Sequence, residues 1–473
     1  MSSTENIVVR QSEVLAGLSY ALDLTEGQRP GHAVRSCLIG MRIADVLSLS
    51  HEDRAALFSA LLMKDLGCSS NSARFAALFG ANDHDLKADL TRIDWSKALE
   101  SFRFVARNAA PGHFFLKRTW RLLAVMARGP EGAREVVQTR CERGADIARM
   151  LGLADATVHA IRALDEHWDG QGQPYSKRGE EIPLLARVLG LAQTVEVFFT
   201  TYGVLAAYDM AAARRGTWFD PCMVDALFSI RPDAPFWRDL GGDGDLQKLR
   251  SLEPEGDAVV ATEDRLDAIA EAFARVIDAK SPWTYQHSTG VAETAVAIGQ
   301  QLGFAAQTLR VLRRTALLHD LGKLGVSNLI LDKPAKLTDD EFRAMKRHPE
   351  HTSQILARVS CFGPLVENAA AHHERLDGRG YHRGLDGDHL SLEARVLAVA
   401  DISDALRSSR PYRAGLPAER VIDIMRREMA SALDPRCVEA LDTVFNDSAL
   451  PGPSLVPAAT ILTSLAEDYA QAA

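Results

Sequence analysis

The chain has only six cysteines in 473 residues, and no two of them form a C-x-x-C pair. Scattered as Cys37, Cys68, Cys141, Cys222, Cys361 and Cys437, they argue against a cysteine-ligated zinc site and a disulfide framework, and read as small buried apolar residues. Basic charge is also scarce: 54 Lys and Arg against 63 Asp and Glu leave a net charge of −9. A binder of the nucleic-acid backbone needs a basic stripe, so no nucleic-acid partner is expected, whereas a small anionic ligand needs only a local patch. No apolar run approaches the ~20 residues that cross a bilayer; the longest, Leu184 to Thr200, is interrupted by Arg187, Gln193 and Glu196. The opening MSSTENIVVRQSE lacks the basic-then-apolar pattern of a signal peptide. A cytoplasmic protein with no membrane partner is expected. Strand-like alternation is scarce as well, which argues against a sheet protein.

What the sequence does have is apolar residues at helical spacing. DRAALFSALLMKDLG (53–67), RLDAIAEAFARVIDA (265–279) and RVLRRTALLHDLG (310–322) repeat them every three or four positions, the pattern of helices with one buried face. With 47% apolar and 25% charged residues, ordinary values for a folded protein, the chain is expected to be all-α. Its 473 residues exceed one ordinary core of roughly 100–200. The Gly-, Asp- and Pro-rich stretch DLGGDGDLQKLRSLEPEGDA (239–258) marks a boundary. The expected organisation is a first domain over 1–240, a linker over 241–261 and a second domain over 262–473.

The halves repeat each other in spacing. In the second, His287 precedes His319 by 32 residues, His348 precedes His372 by 24, and His372 precedes Asp401 by 29. The same separations link His32 to Lys64, Arg140 to Leu164, and Leu164 to Gln193 in the first. LLMKDLGC answers ALLHDLGK, EHWDGQGQP answers ERLDGRGYH, and FDP (219–221) answers LDP (433–435). Lys64 to Arg140 spans 76 residues against 29 from His319 to His348, so the first copy is expected to carry a helical insertion of about 47.

The second half gathers His287, His319, Asp320, His348, His372, His373 and Asp401 on or at the ends of apolar helices. Imidazole and carboxylate suit first-row divalent ions, iron or manganese first, zinc or nickel next. Seven donors exceed the roughly four to six that one ion takes, so two ions sharing a carboxylate are expected, with Asp320 as the bridge. In HHERLDGRGYHRGLDGDHL (372–390), glycines including Gly378 and Gly380 permit tight turns and close backbone approach over a pocket. Arg410 and Arg413 flank a Pro-Tyr turn, where guanidinium forks could hold phosphate.

These segments carry a family resemblance. HSTGVAETA from 287, the HDLGK core, LILDKPAKLTDDEF at 329–342, HPEH at 348, HHERLDGRGY at 372, ARVLAVADISDAL at 394–406 and RPYR at 410–413 follow one another over about 200 residues. In that order they resemble the HD-GYP branch of the HD metal-dependent phosphohydrolase superfamily. The resemblance implies an all-helical fold, a centre of two or three metal ions, and phosphodiesterase action on cyclic di-GMP in bacterial signalling, with water activated between the ions. It carries over the seven residues above as metal ligands. Lys323 it places near the scissile phosphate and leaving oxygen, Arg410 and Arg413 on phosphate, and Asp377, Gly378, Gly380 and Tyr381 in the substrate loop.

Some positions depart from the family pattern. Its Gly-Tyr-Pro is Gly380, Tyr381 and His382 here, which loses a stiffening proline and bears on substrate preference. Trp283 stands where three-metal members have a glutamate, so two ions are expected, and Thr352 replaces a glycine. In the first copy Lys64, Arg140, Leu164, Asp165 and Gln193 answer His319, His348, His372, His373 and Asp401, while Cys68 answers Lys323. His32, Asp65 and Asp165 are too few to hold a dinuclear centre, so a metal-free domain with a structural or regulatory role is expected. Cyclic di-GMP is the expected substrate, with a related cyclic dinucleotide as the variant. A nucleotide phosphohydrolase would share the ligands but not need the 372–390 loop or RPYR; a cyclic-dinucleotide-binding signalling module need not hold two ions. A homodimer or a signalling partner protein is compatible with the sequence.

Overall fold

The structure of the protein, a computed structural model, describes residues 10–112, 114–240, 246–253, 261–284, 286–408, 415–429 and 431–447. Every regular element among them is helical; strand geometry is limited to isolated bridges such as Asp377 with Asp386. The all-α expectation therefore holds for the described residues. The chain divides into two compact units, Met1–Thr262 and Glu263–Ala473.

The expected linker contains structure. Leu246–Leu252 is a helix of the first unit, with Leu249 only 3% exposed. Arg250 pairs with Glu13 at 2.6 Å, and Glu253 with Arg10 at 3.0 Å. Leu249 and Leu252, one turn apart, supply an apolar side that the surrounding glycines and aspartates obscured. Residues 241–245 and 254–260 of that linker lie outside the described residues.

In the first unit the helix Leu184–Tyr202 packs on His32–Val46 and Val204–Ala213. By length and composition it could span a bilayer, yet it serves as a core helix. Its polar interruptions are engaged: Arg187 donates to Asp220 at 2.8 Å, while Glu196 accepts from Arg35 at 2.6 Å and pairs with His32. Residues between Lys64 and Arg140, where the surplus was expected, form the helices Ser72–Phe79, Asp83–Leu90, Ala98–Asn108 and the start of Phe115–Met150. That last helix kinks at Gly129, with φ 56° and ψ −162°, just before Pro130. In the second unit His287–Gln301 packs on Ala306–Leu318 and Leu392–Arg407. Val291 and Ile298 on it, Leu312 on the second helix and Val396 and Val399 on the third are all buried, each worth roughly 1.5–3 kcal/mol.

Local devices recur in both units. Asp220 caps Pro221–Ser229 through the Cys222 amide at 2.8 Å, and Asp434 caps Pro435–Asn446 through the Arg436 amide at 2.9 Å. Their second oxygens accept from Arg187 at 2.8 Å and Arg395 at 2.9 Å. Ahead of the helices His32–Val46 and His287–Gln301 stand Asp23, accepting from the Gly31 and Ala33 amides at 2.7 and 3.0 Å, and Asp278, accepting from the Ser288 amide at 3.2 Å. Burial raises both carboxyls to about 6, against the opposing pull of His32 and Lys64 on Asp23 and of Ser288 and His287 on Asp278.

The folded chain therefore keeps a proton on Asp23 at a pH where the unfolded chain, at 3.8, has released it. Its contribution to stability is complete at low pH and declines as pH rises from about 4 to about 6. Urea unfolding across that range should show the wild type losing roughly 1–3 kcal/mol relative to Asp23→Asn; parallel pH profiles would contradict the assignment.

Candidate metal centre

Three histidines of the second unit are delivered in one way. His319 ends the helix Ala306–Leu318, His348 opens His348–Leu356, and His372 follows Gly363–Ala370. Each places Nδ1 against the carbonyl three residues back: His319 on Ala316 at 2.7 Å, His348 on Met345 at 2.7 Å, His372 on Ala369 at 2.6 Å. A carbonyl can only accept, so each Nδ1 carries a proton, and each ring in its neutral form presents a lone pair at Nε2. His287, the first residue of its helix, is oriented instead by Asp404 Oδ2, 2.6 Å from its Nδ1.

Asp320 stands among them at 1% exposure. Its Oδ2 lies 3.5 Å from His287 Nε2 and 3.3 Å from His319 Nε2; its Oδ1 lies 3.4 Å from His348 Nε2 and 3.7 Å from His372 Nε2. One oxygen thus faces each pair. Asp401, on Leu392–Arg407, brings Oδ1 to 3.3 Å from His287 Nε2 and Oδ2 to 3.9 Å from His373 Nδ1. The donors fall into the sets His287, His319, Asp401 and His348, His372, His373, joined by His319, Asp320 and His372. Within each set the ligand atoms lie within 4.8 Å of one another.

These groups do not satisfy one another. His319 Nε2 and Asp320 Oδ1 are buried without a hydrogen-bond partner. His348 Nε2 and His372 Nε2 are 3.1 Å apart, two facing lone pairs once both Nδ1 protons are committed. Buried donors in this state fit divalent cations and do not form an internal hydrogen-bond network. The electrostatics agree. Burial opposes charge on His319, but Asp320 and Asp401 outweigh it and lift the ring to about 9. On the other side burial takes His372 down to about 4 and holds His348 and His373 below the usual imidazole range. Burial would raise Asp320 and Asp401; the surrounding imidazoles, with Lys323 beside Asp320, hold both well below the ordinary carboxylate range. The carboxylates are ionised, and three imidazoles remain neutral and ready to ligate.

The Lys323 ammonium pairs with Asp320 Oδ2 and keeps 19% of its side chain exposed. It lies on the 3-10 turn Leu321–Gly325, which closes tightly on the helix His348–Leu356: a Cβ on Gly322 would come within 2.0 Å of the His348 carbonyl oxygen. Thr352 fastens the same junction, accepting from the Gly322 amide and donating to the His319 carbonyl, each at 2.9 Å. The glycine-rich loop is organised by Glu374, 4% exposed, whose carboxylate accepts from the amides of Arg383, Gly384 and Leu385 at 2.8 to 3.1 Å. A Cβ on Gly380 would lie 2.4 Å from Glu374 Cα. Gly378 turns at φ 70°, and the Tyr381–His382 bond is cis.

This loop brings Tyr381 over the site, its ring 4.8 Å from that of His373 and 5.1 Å from Lys346 Nζ. Asp377 is exposed and engaged in the loop's own turn, accepting from Arg375 and from the Arg379 amide at 3.0 Å. Arg410 and Arg413 lie outside the described residues. A cavity of about 310 Å³ opens beside His372 and His373, lined also by Arg375, Ala398 and Ile402. Sequence reasoning missed Asp404, Thr352 and Glu374. Spacing held a signal for two of them: Glu196 stands three residues after Gln193 as Asp404 does after Asp401, and Glu166 stands two after Leu164 as Glu374 does after His372.

Asp404→Ala should leave the fold intact and weaken metal binding roughly 10–100-fold, read by chelator competition alongside circular dichroism; unchanged affinity would remove Asp404 from this role.

Comparison with known proteins follows this geometry. The sequence profile of the HD domain family matches residues 131–222 and 271–437. A 3′3′-cGAMP-specific phosphodiesterase 3 of Vibrio cholerae is 41% identical over 435 residues, 92% of this chain and 94% of that protein. A cyclic di-GMP phosphodiesterase response regulator of Xanthomonas campestris is 37% identical over 183 residues, 38% of this chain and 48% of that protein. The crystal structure of a cyclic GMP-AMP specific phosphodiesterase of Vibrio cholerae superposes with a TM-score of 0.65 at 38% identity, covering 94% of this chain and 99% of that one.

Proposed function

The chain belongs to the HD domain family, in its HD-GYP branch of metal-dependent phosphohydrolases, and on that premise we propose that its second unit hydrolyses a cyclic dinucleotide. The observation that carries this reading is Asp320, one oxygen toward each group of histidines and Lys323 against its side. In it, His287, His319 and Asp401 would hold one divalent cation and His348, His372 and His373 a second, with Asp320 available to both. Bound there, the ions supply Lewis-acid stabilisation of phosphate charge and a water that ionises near neutral pH.

The chain's own residues do the rest. The Nδ1 anchors fix His287, His319, His348 and His372 before substrate arrives, so these four rings need no reorganisation at reaction. Water adds to phosphorus, the bond from phosphorus to the 3′-oxygen breaks, and that oxygen needs a proton. Lys323, partly exposed beside Asp320, is placed to give it. Tyr381, tilted against His373, and the Glu374-held loop form the rim that excludes water and positions a base. Arg410 and Arg413 complete the reading as anchors of the second phosphate. The first unit is a degenerate copy without the chemistry.

For the substrate itself the reading favours 3′3′-cGAMP over the cyclic di-GMP that the sequence resemblance implies, supported by the cGAMP-specific relative matched over 92% of this chain. Cyclic di-GMP is the second reading, supported by the Xanthomonas relative. The test is chromatographic turnover of both dinucleotides by the metal-loaded full chain and by Asp320→Asn. 3′3′-cGAMP should open to a linear dinucleotide faster than cyclic di-GMP, and the variant should lose roughly a hundredfold or more. Faster cyclic di-GMP cleavage would reverse the substrate order; no cleavage of either would overturn the function.

A further inference from the structure

The first unit contains a cavity of about 670 Å³, within the roughly 300–1,000 Å³ of small-molecule sites. Its floor is the set of residues that answers the second unit's metal donors: His32, Lys64, Asp65, Arg140, Asp165 and Gln193. Its walls come from the segment between Lys64 and Arg140, with Phe75, Leu78, Leu90, Ile93, Val125 and Val137 all facing the space. The helix Phe115–Met150 kinks at Gly129 where it borders the cavity.

The floor has become a cation site made of side chains. Lys64 Nζ lies 2.9 Å from His32 Nε2 and pairs with Asp65. Arg140 pairs with Asp165, and Leu164, 4% exposed, brings no donor. Glu26, Asp65 and Cys68 could by distance hold an ion, but each is already attended: Glu26 by Lys87 at 3.3 Å, Asp65 by Lys64, Cys68 by Arg140 at 4.0 Å. The cavity's lining has five cationic side chains, Lys64, Arg74, Lys87, Arg128 and Arg140, against three carboxylates, Glu26, Asp65 and Asp165. Arg140 keeps 20% of its side chain accessible, so its guanidinium can meet a ligand. Gln173 Oε1, also on the lining, is buried with no partner. A lining with five cationic against three anionic side chains, and with aliphatic and aromatic walls, matches one kind of molecule, an anion with a long apolar body. A cyclic dinucleotide, with two phosphates and two polar bases, does not match walls of this kind.

We propose that the first unit binds a fatty-acid-like carboxylate, its head on the Arg140 side of the floor and its chain along the walls that the inserted helices supply. The surplus residues then have a purpose: they build an apolar sleeve over a site that no longer does chemistry.

The test is calorimetric titration of the full chain with decanoate and with decanol, repeated on Val137→Trp, which fills the apolar wall one helical turn from Arg140, and on Arg140→Met. One decanoate per chain is expected. Decanol should bind roughly tenfold or more weakly, since an ion-paired head is worth about 1.5–3 kcal/mol, and Val137→Trp should abolish binding while thermal unfolding stays cooperative. Arg140→Met should bring decanoate down to the level of decanol. No decanoate binding, equal affinity for acid and alcohol, indifference to Val137→Trp, or displacement of decanoate by 3′3′-cGAMP would each overturn the proposal.

Discussion

A carboxylate at 1% exposure is the fact around which the second unit is arranged. Taking the charge of Asp320 out of water is costly unless positive charge meets it. Its surroundings are organised to meet that charge. Lys323, His287 and His319 bring positive charge to one oxygen, while the neutral His348 and His372 face the other; three of the four rings are locked by carbonyls of their own helical turns and one by Asp404. Thr352 and the close approach at Gly322 then fasten the turn bearing Asp320 to the helix bearing His348. The helices are arranged so that their ends, where side chains can converge, point to one place.

The first unit meets the same physical demand differently. Asp65 is also buried, at 3% exposure, and its counter-charge is covalent: Lys64, the residue just before it. Burial would discharge that lysine, yet Asp65 holds it above its usual range. His32 keeps its carboxylate partner, Glu196, which His32 and Arg35 hold down to about 2 against burial. An ammonium and a guanidinium thus occupy the part of the fold where the second unit presents imidazoles. Such a site needs no ion to be stable and offers no open coordination position.

Much of this was legible because the chemistry here is written in rare residue types at fixed separations. Histidines 32, 24 and 29 residues from their partners identified the donors that the structure brings together, and helical periodicity gave the fold class. What sequence could not give were the acceptors behind the donors. Asp404, Thr352 and Glu374 are common residue types whose meaning lies in a 2.6–3.1 Å contact with a ring or an amide. Nor could composition foresee the helix at Leu246–Leu252, since three leucines among glycines and aspartates carry too little periodicity. The apolar sleeve of the first unit was hidden for a different reason. Its wall residues read as ordinary core, and only packing shows that they face a cavity.

Anomalous diffraction from crystals of the metal-loaded full chain tests directly whether the second unit answers buried carboxylates with two ions and the first with side chains. Two peaks are expected flanking Asp320, one toward His287 and His319 and one toward His348 and His372, and none beside Lys64 or Arg140. A single peak or none at Asp320, or an ion among Glu26, Asp65 and Cys68, would contradict this arrangement.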